Sequence, residues 1–142
     1  MILVPRRTNP KNIPDLDKII NWWKTLKKAS LKNIIIVQRK RDSKALLNLR
    51  CKNVIYETKP LEDFIEKVYN KQKPVILLYD GTRPGDKAAE KIKSLLQQRK
   101  IKVNTRFRKL LYTFKDRTIA GIWKTIKRNA GSIRVQKELP LM

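Results

Sequence analysis

The chain has no histidine in its 142 residues and one cysteine, Cys51. Without imidazole there is no Ser-His-Asp or Cys-His hydrolase, no His-ligated zinc and no His proton shuttle. One thiol excludes an intramolecular disulfide and a thiolate zinc cluster. It suits a reducing compartment, so a cytoplasmic protein is expected. Long apolar runs are missing as well. The opening Met1-Ile2-Leu3-Val4 is too short for a signal peptide or a spanning helix, and no membrane partner is expected. Acids are scarce: 12 Asp and Glu stand against 35 Lys and Arg, a formal charge of +23.

A surplus of this size weakens a compact state by self-repulsion unless a polyanion screens it. Heat adaptation adds charges of both signs, and salt-adapted surfaces are acidic, so neither explains the imbalance. Nucleic acid, whose phosphates release counterions when cations replace them, is the expected partner. The charge is also unevenly placed. Arg39, Lys40, Arg41, Lys44, Arg50 and Lys52 face only Asp42. Residues 99–109 hold Arg99, Lys100, Lys102, Arg106, Arg108 and Lys109 with no acid, and Lys115, Arg117, Lys124, Lys127 and Arg128 follow. The acids Glu57, Glu62, Asp63 and Glu66 cluster elsewhere. This pattern predicts a basic face rather than a uniform coat.

Apolar residues make up 41% and charged residues 33%, enough for one core at this length. Residues 1–12 read as a basic arm. From Pro14 the spacing of Leu16, Ile19, Ile20, Trp23 and Leu26 predicts an amphipathic helix. Trp23 points inward and Trp22 sits at the edge, open to docking or to base stacking. The β-branched run Asn33–Val37 predicts a buried strand. A helix over Asp42–Leu49, a strand over Asn53–Tyr56, a helix opened by Pro60 and a strand over Pro74–Tyr79 follow. After a turn at Asp80–Gly85 come a helix and a short strand, Ile101–Val103. A basic segment with interleaved aromatics, Asn104–Tyr112, leads to a last helix capped by Asp116 and stopped at Gly131, then a tail from Val135 to Met142. Alternating strands and helices predict an α/β fold with a mainly parallel four-stranded sheet flanked by helices. Ligands of such sheets bind beyond the carboxyl ends of the strands. The rim so defined holds Gln38–Arg41, Glu57–Lys59 and Asp80–Arg83.

Two strand ends carry a resemblance. Ile34-Ile35-Ile36-Val37-Gln38-Arg39-Lys40-Arg41-Asp42 and Ile76-Leu77-Leu78-Tyr79-Asp80-Gly81-Thr82-Arg83-Pro84-Gly85 resemble the two signatures of a Toprim domain. The stretch Lys102–Leu111 is similar to the small single-domain archaeal Toprim proteins. The resemblance covers about residues 31–112. It implies a Toprim-like core over 31–112, with an arm and helix (1–30) before it and a helix and tail (113–142) after it. Toprim domains occur in topoisomerases, bacterial-type primases and the maturase of 5S ribosomal RNA. The family implies phosphodiester chemistry with Mg²⁺ held by a Glu and an Asp pair.

The chain departs from that pattern where the metal would sit. Gln38 and Arg39 stand where the family has Glu-Gly, and Thr82 replaces the second Asp, so only Asp80 survives. A Gln amide exchanges no proton near neutrality, and a Thr hydroxyl is a poor substitute for a carboxylate. Surrounded by Arg39, Lys40, Arg41 and Arg83, Asp80 is expected to pair with an arginine. Removing anions and adding arginines turns a metal site into a phosphate site.

The resulting expectation is an RNA-binding protein, associated with structured or ribosomal RNA and without catalysis, that requires no cofactor. The contact residues would be Arg39, Lys40, Arg41, Arg83, Arg106, Arg108, Lys109, Lys115 and Arg117. Tyr112, Phe107, Phe114 and Trp22 are stacking candidates, with Phe107 and Trp123 read first as core. The alternative is a Mg²⁺- or Mn²⁺-dependent nuclease or nucleotidyl-transfer enzyme using Asp80 and Glu57 as ligands. A second alternative is a DNA-binding accessory of replication or repair.

Overall fold

The computed structural model describes residues 16–129. The expected arm, the stop at Gly131 and the tail lie outside the described residues. Within them the elements run α1 (Leu16–Ala29), β1 (Ile34–Val37), α2 (Lys40–Asn48), β2 (Val54–Tyr56), α3 (Leu61–Asn70), β3 (Val75–Leu77), α4 (Arg83–Gln98), β4 (Val103–Asn104), α5 (Arg106–Leu111) and α6 (Ile119–Arg128). The strands form one sheet in the order β2-β1-β3-β4. Every pairing is parallel, with Ile35 opposite Val54, Ile34 opposite Val75 and Val75 opposite Val103. The α/β class, the parallel four-stranded sheet and the helical flanks are those expected, and the arrangement is consistent with a Toprim-like fold.

The sheet is covered on both sides, which is why β1 and β3 are apolar at every position. Ile35, Val37, Ile76 and Leu78 pack with α1, α2, α5 and α6. Ile34, Ile36, Val75, Leu77 and Tyr79 pack with α3 and α4. The flanking helices α1 and α6 thus complete the first of these two layers.

Three local expectations change. Trp22 is not open: only 3% of it is exposed. Its ring meets Phe107 and Phe114 edge-on at 6.4 and 6.1 Å, and its indole N–H donates to the Phe107 carbonyl at 3.0 Å. Trp23 donates to the Leu49 carbonyl at 2.7 Å. Both indoles therefore face the core, because α5 and the turn after it fold over the flank of α1 and widen its apolar stripe. The segment Asn104–Tyr112 is largely the short helix α5, with Phe107 and Leu111 buried. The cap of α6 is Thr118, whose hydroxyl accepts from the Gly121 N–H at 3.0 Å. Asp116 lies two residues earlier and accepts from the Thr118 N–H and hydroxyl.

Candidate nucleic-acid interface

Parallel strands end together, so Gln38–Arg41, Glu57–Lys59 and Asp80–Arg83 share the carboxyl edge of the sheet. Asp80 stands three residues after the end of β3 and is 5% exposed. One carboxylate oxygen accepts from the Arg39 guanidinium at 3.3 Å. The other accepts from the Ile119 N–H at 2.9 Å, at the start of α6. A helix N-terminus has unpaired N–H groups and a positive end of its dipole, so a carboxylate there is stabilised. Both oxygens of the surviving motif carboxylate are thereby engaged. The arginine partner follows from the local charge, but the α6 N–H could not be read from the sequence.

Asp42 is the second acid of this edge, in the first turn of α2. It is 1% exposed, and neither carboxylate oxygen has a hydrogen-bond partner. The Arg39 guanidinium lies 3.8 Å from Asp42 and 3.3 Å from Asp80, so its single charge is shared between them, and the Arg41 guanidinium lies 3.8 Å from Asp42 on the exposed side. Burial pushes the Asp42 pKa above the ordinary carboxylate value, and the negative charge of Asp80 raises it further.

Thr82 is the N-cap of α4: its hydroxyl accepts from the Gly85 N–H at 3.2 Å. Pro84 stands in the first turn, where its missing N–H costs nothing. Gly85 is required, because a Cβ there would overlap the Asp80 carbonyl oxygen. Thr82 therefore holds the start of α4.

Glu57 is held on the other side of the edge. It accepts from the Tyr79 hydroxyl at 2.6 Å and from the Lys59 ammonium at 3.2 Å. Tyr79 is fully buried, and its pKa is pushed well up, first by burial and then by the Glu57 bond. Cys51 is buried too, and burial pushes its thiol up to about 12, which leaves no thiolate nucleophile near neutrality.

The expected contact residues divide in two. Arg108 turns inward: it donates to the Tyr79 and Asp80 carbonyls at 3.1 and 2.9 Å and pairs with Asp86 at 2.5 Å. It ties α5 to the end of β3. Tyr112 is 36% exposed and donates its hydroxyl to Asp86, and the guanidinium groups of Arg108 and Arg117 lie 5.8 and 5.3 Å from its ring centre. These two donors, Tyr112 first, hold the Asp86 pKa below the ordinary value. Phe107 and Phe114 are buried and offer no stacking face. Arg39, Lys40, Arg41, Arg83, Arg106, Lys109, Lys115 and Arg117 are exposed. Sequence reasoning missed the parts played by Asp42, Tyr79 and Asp86. Asp86 carried one signal, an acid in the first turn of a helix.

The donor set does not fit the divalent ion that the resemblance implies. Both Asp80 oxygens are engaged, Thr82 caps a helix, Glu57 is bonded to Tyr79 and Lys59, and Gln38 is neutral. The guanidinium of Arg39 lies between Asp42 and Asp80, where a cation would bridge them. Among the described residues no group of three or more His, Cys, Asp or Glu comes together that could hold a metal. No helix among them is long and apolar enough to cross a membrane.

No family profile and no curated protein matches the chain. A solved structure of a protein from Aquifex aeolicus is similar at 36% identity, with a TM-score of 0.62, over 66% of this chain and 88% of that one. The name of that protein states no activity.

Proposed function

The chain belongs to the family of that Aquifex aeolicus protein, and from this premise we propose that it is a cytoplasmic RNA-binding protein, related to the Toprim proteins, which grips structured or ribosomal RNA without catalysis and needs no cofactor. One observation carries the reading. The only motif carboxylate left, Asp80, is spent on Arg39 and on the start of α6. What the carboxyl edge then offers outward is Lys40, Arg41 and Arg83, continued along α5 and the turn after it by Arg106, Lys109 and Arg117. Guanidinium forks and ammonium groups meet phosphate oxygens directly, with no metal between. Tyr112, 36% exposed and within 5.8 and 5.3 Å of the Arg108 and Arg117 guanidinium groups, sets an aromatic ring beside these cations, where it would flank a base or sugar.

The test is incubation of the purified chain with an end-labelled structured RNA, in Mg²⁺ and in EDTA. Retention equal in both, with the RNA intact, supports binding. Cleavage that needs the metal and disappears in Asp80→Asn would make the protein an enzyme. The conservative variant is the right one, because Asp80→Ala would also leave the Ile119 N–H at the start of α6 without its acceptor. Displacement of the RNA by duplex DNA at equal salt would favour the DNA-binding alternative.

A further inference from the structure

The carboxyl edge of the sheet mixes charges, with Asp42, Glu57, Asp80 and Asp86 among its cations. The opposite, amino edge does not. The segments that lead into the strands, 30–33, 49–53, 71–74 and 99–102, contain no acid. Strand register brings them together, because Ile34 pairs with Val75 and Val75 with Val103. Lys52, Lys71, Lys73, Lys100 and Lys102 are all exposed there. Lys73 lies where two grooves meet. One, of about 340 Å³, runs between Tyr69 and Lys102, and the other, of about 180 Å³, lies over Asn53 and Ile55. In the wall of the larger groove the Arg99 guanidinium stacks on Tyr69 at 4.1 Å. Glu66 pairs with Arg99 at 2.6 Å and marks where the acidic face of α3 begins.

Cations near helix C-termini are favoured by the helix dipole, which is reason enough for Lys71 and Arg99. It does not account for Lys73 and Lys102, which stand beyond the last turns. Nor does it account for the backbone. Among the described residues the non-glycine positions with positive φ are Arg50 (70°), Asn53 (53°), Gln72 (54°) and Lys100 (60°), and all four lie on this edge. Arg50 and Lys100 directly follow the C-caps of α2 and α4, where glycine is the usual and less strained residue. The chain keeps a long cation at positions where stability alone favours none.

We infer that the amino edge is a second nucleic-acid surface, which binds a phosphate backbone across Lys73, Lys100 and Lys102, so that one molecule holds two RNA segments from opposite ends of its sheet. The inference rests on the RNA-binding reading above and adds a second, independent contact to it. Phosphates would lie along the lysines, and the Tyr69–Arg99 stack would flank a base or ribose.

A bridging assay tests it. A biotinylated RNA hairpin on beads, loaded with the protein, is offered a fluorescent copy of the same hairpin. The native chain should retain the fluorescent copy. Lys73→Glu with Lys102→Glu should still bind the immobilised hairpin, at an affinity lower by about tenfold, and retain no second one. Lys40→Glu with Arg83→Glu should likewise lose bridging while the amino edge still binds. Lys100→Gly should raise the melting temperature and yet weaken retention, two opposite changes that a purely structural lysine would not produce. Retention by the Lys73/Lys102 variant equal to the native chain overturns the second surface. The RNA-binding reading then stands if the Lys40/Arg83 variant still weakens binding. A native chain that binds no hairpin overturns both.

Discussion

Two carboxylates of similar burial have opposite circumstances. Asp80 has a guanidinium on one oxygen and a backbone N–H on the other, which together replace the water it lost. Asp42 has the guanidinium groups of Arg39 and Arg41, each at 3.8 Å, and no hydrogen bond, so its charge is less well compensated than that of Asp80. Its pKa is raised in the folded chain. Between the ordinary carboxylate pKa and that raised value the folded state binds more protons than the unfolded state, so stability falls as pH rises through the window. Asp42→Asn removes this dependence. Relative to the native chain, the variant should gain on the order of 1 kcal/mol near neutrality and nothing in acid below both pKa values, as read from urea unfolding at the two pH values. A loss of stability near neutrality would mean that the Asp42 charge is needed by Arg39.

At the scale of elements, the start of α4 shows how a few turn residues fix a helix. Its position after β3 and its Pro84 and Gly85 are legible in the sequence as a turn followed by a helix. The helix begins three residues earlier than a turn over Asp80–Gly85 suggests, at Arg83, because Thr82 supplies the cap and proline suits a first turn. Thr82→Ala should cost about 1 kcal/mol of stability. Gly85→Ala should cost more, roughly 1–3 kcal/mol, because its Cβ meets the Asp80 carbonyl and the backbone has to shift. Equilibrium unfolding of both variants checks the order; a Gly85→Ala protein as stable as the native chain would show that α4 can move off β3. Helix α5 was harder to read. Six residues with three cations give little period, and what fixes them is Trp22 bonding to the Phe107 carbonyl and Arg108 bonding to the end of β3. Those contacts are distant in sequence, and no local pattern announces them.

For the whole molecule the decisive quantity is charge. If the surface neutralises about six phosphates, the logarithm of the RNA association constant should fall against the logarithm of salt with a slope near −4 to −5. Titration over a range of salt concentrations measures it, and a flat line would contradict a basic interface. Arg83→Glu should weaken binding more than Lys24→Glu, since Arg83 is exposed on the carboxyl edge and Lys24 lies half-buried on α1. Arg39→Glu is a less clean probe, because Arg39 also shares its charge between Asp42 and Asp80.

The sequence by itself determined the fold class, the strands at the centre of the sheet and the edge on which Gln38–Arg41 and Asp80–Arg83 meet. These are properties of local period, of strand-end position and of residue identity, all carried by neighbours in the chain. Only the tertiary structure decided that Trp22 faces the core, that Arg108 braces β3 instead of facing outward, and that Asp80 holds the start of α6 while Asp42 has no hydrogen bond. Each of these is a pairing between groups distant along the chain, and which donor reaches which acceptor is set by how the helices pack on the sheet.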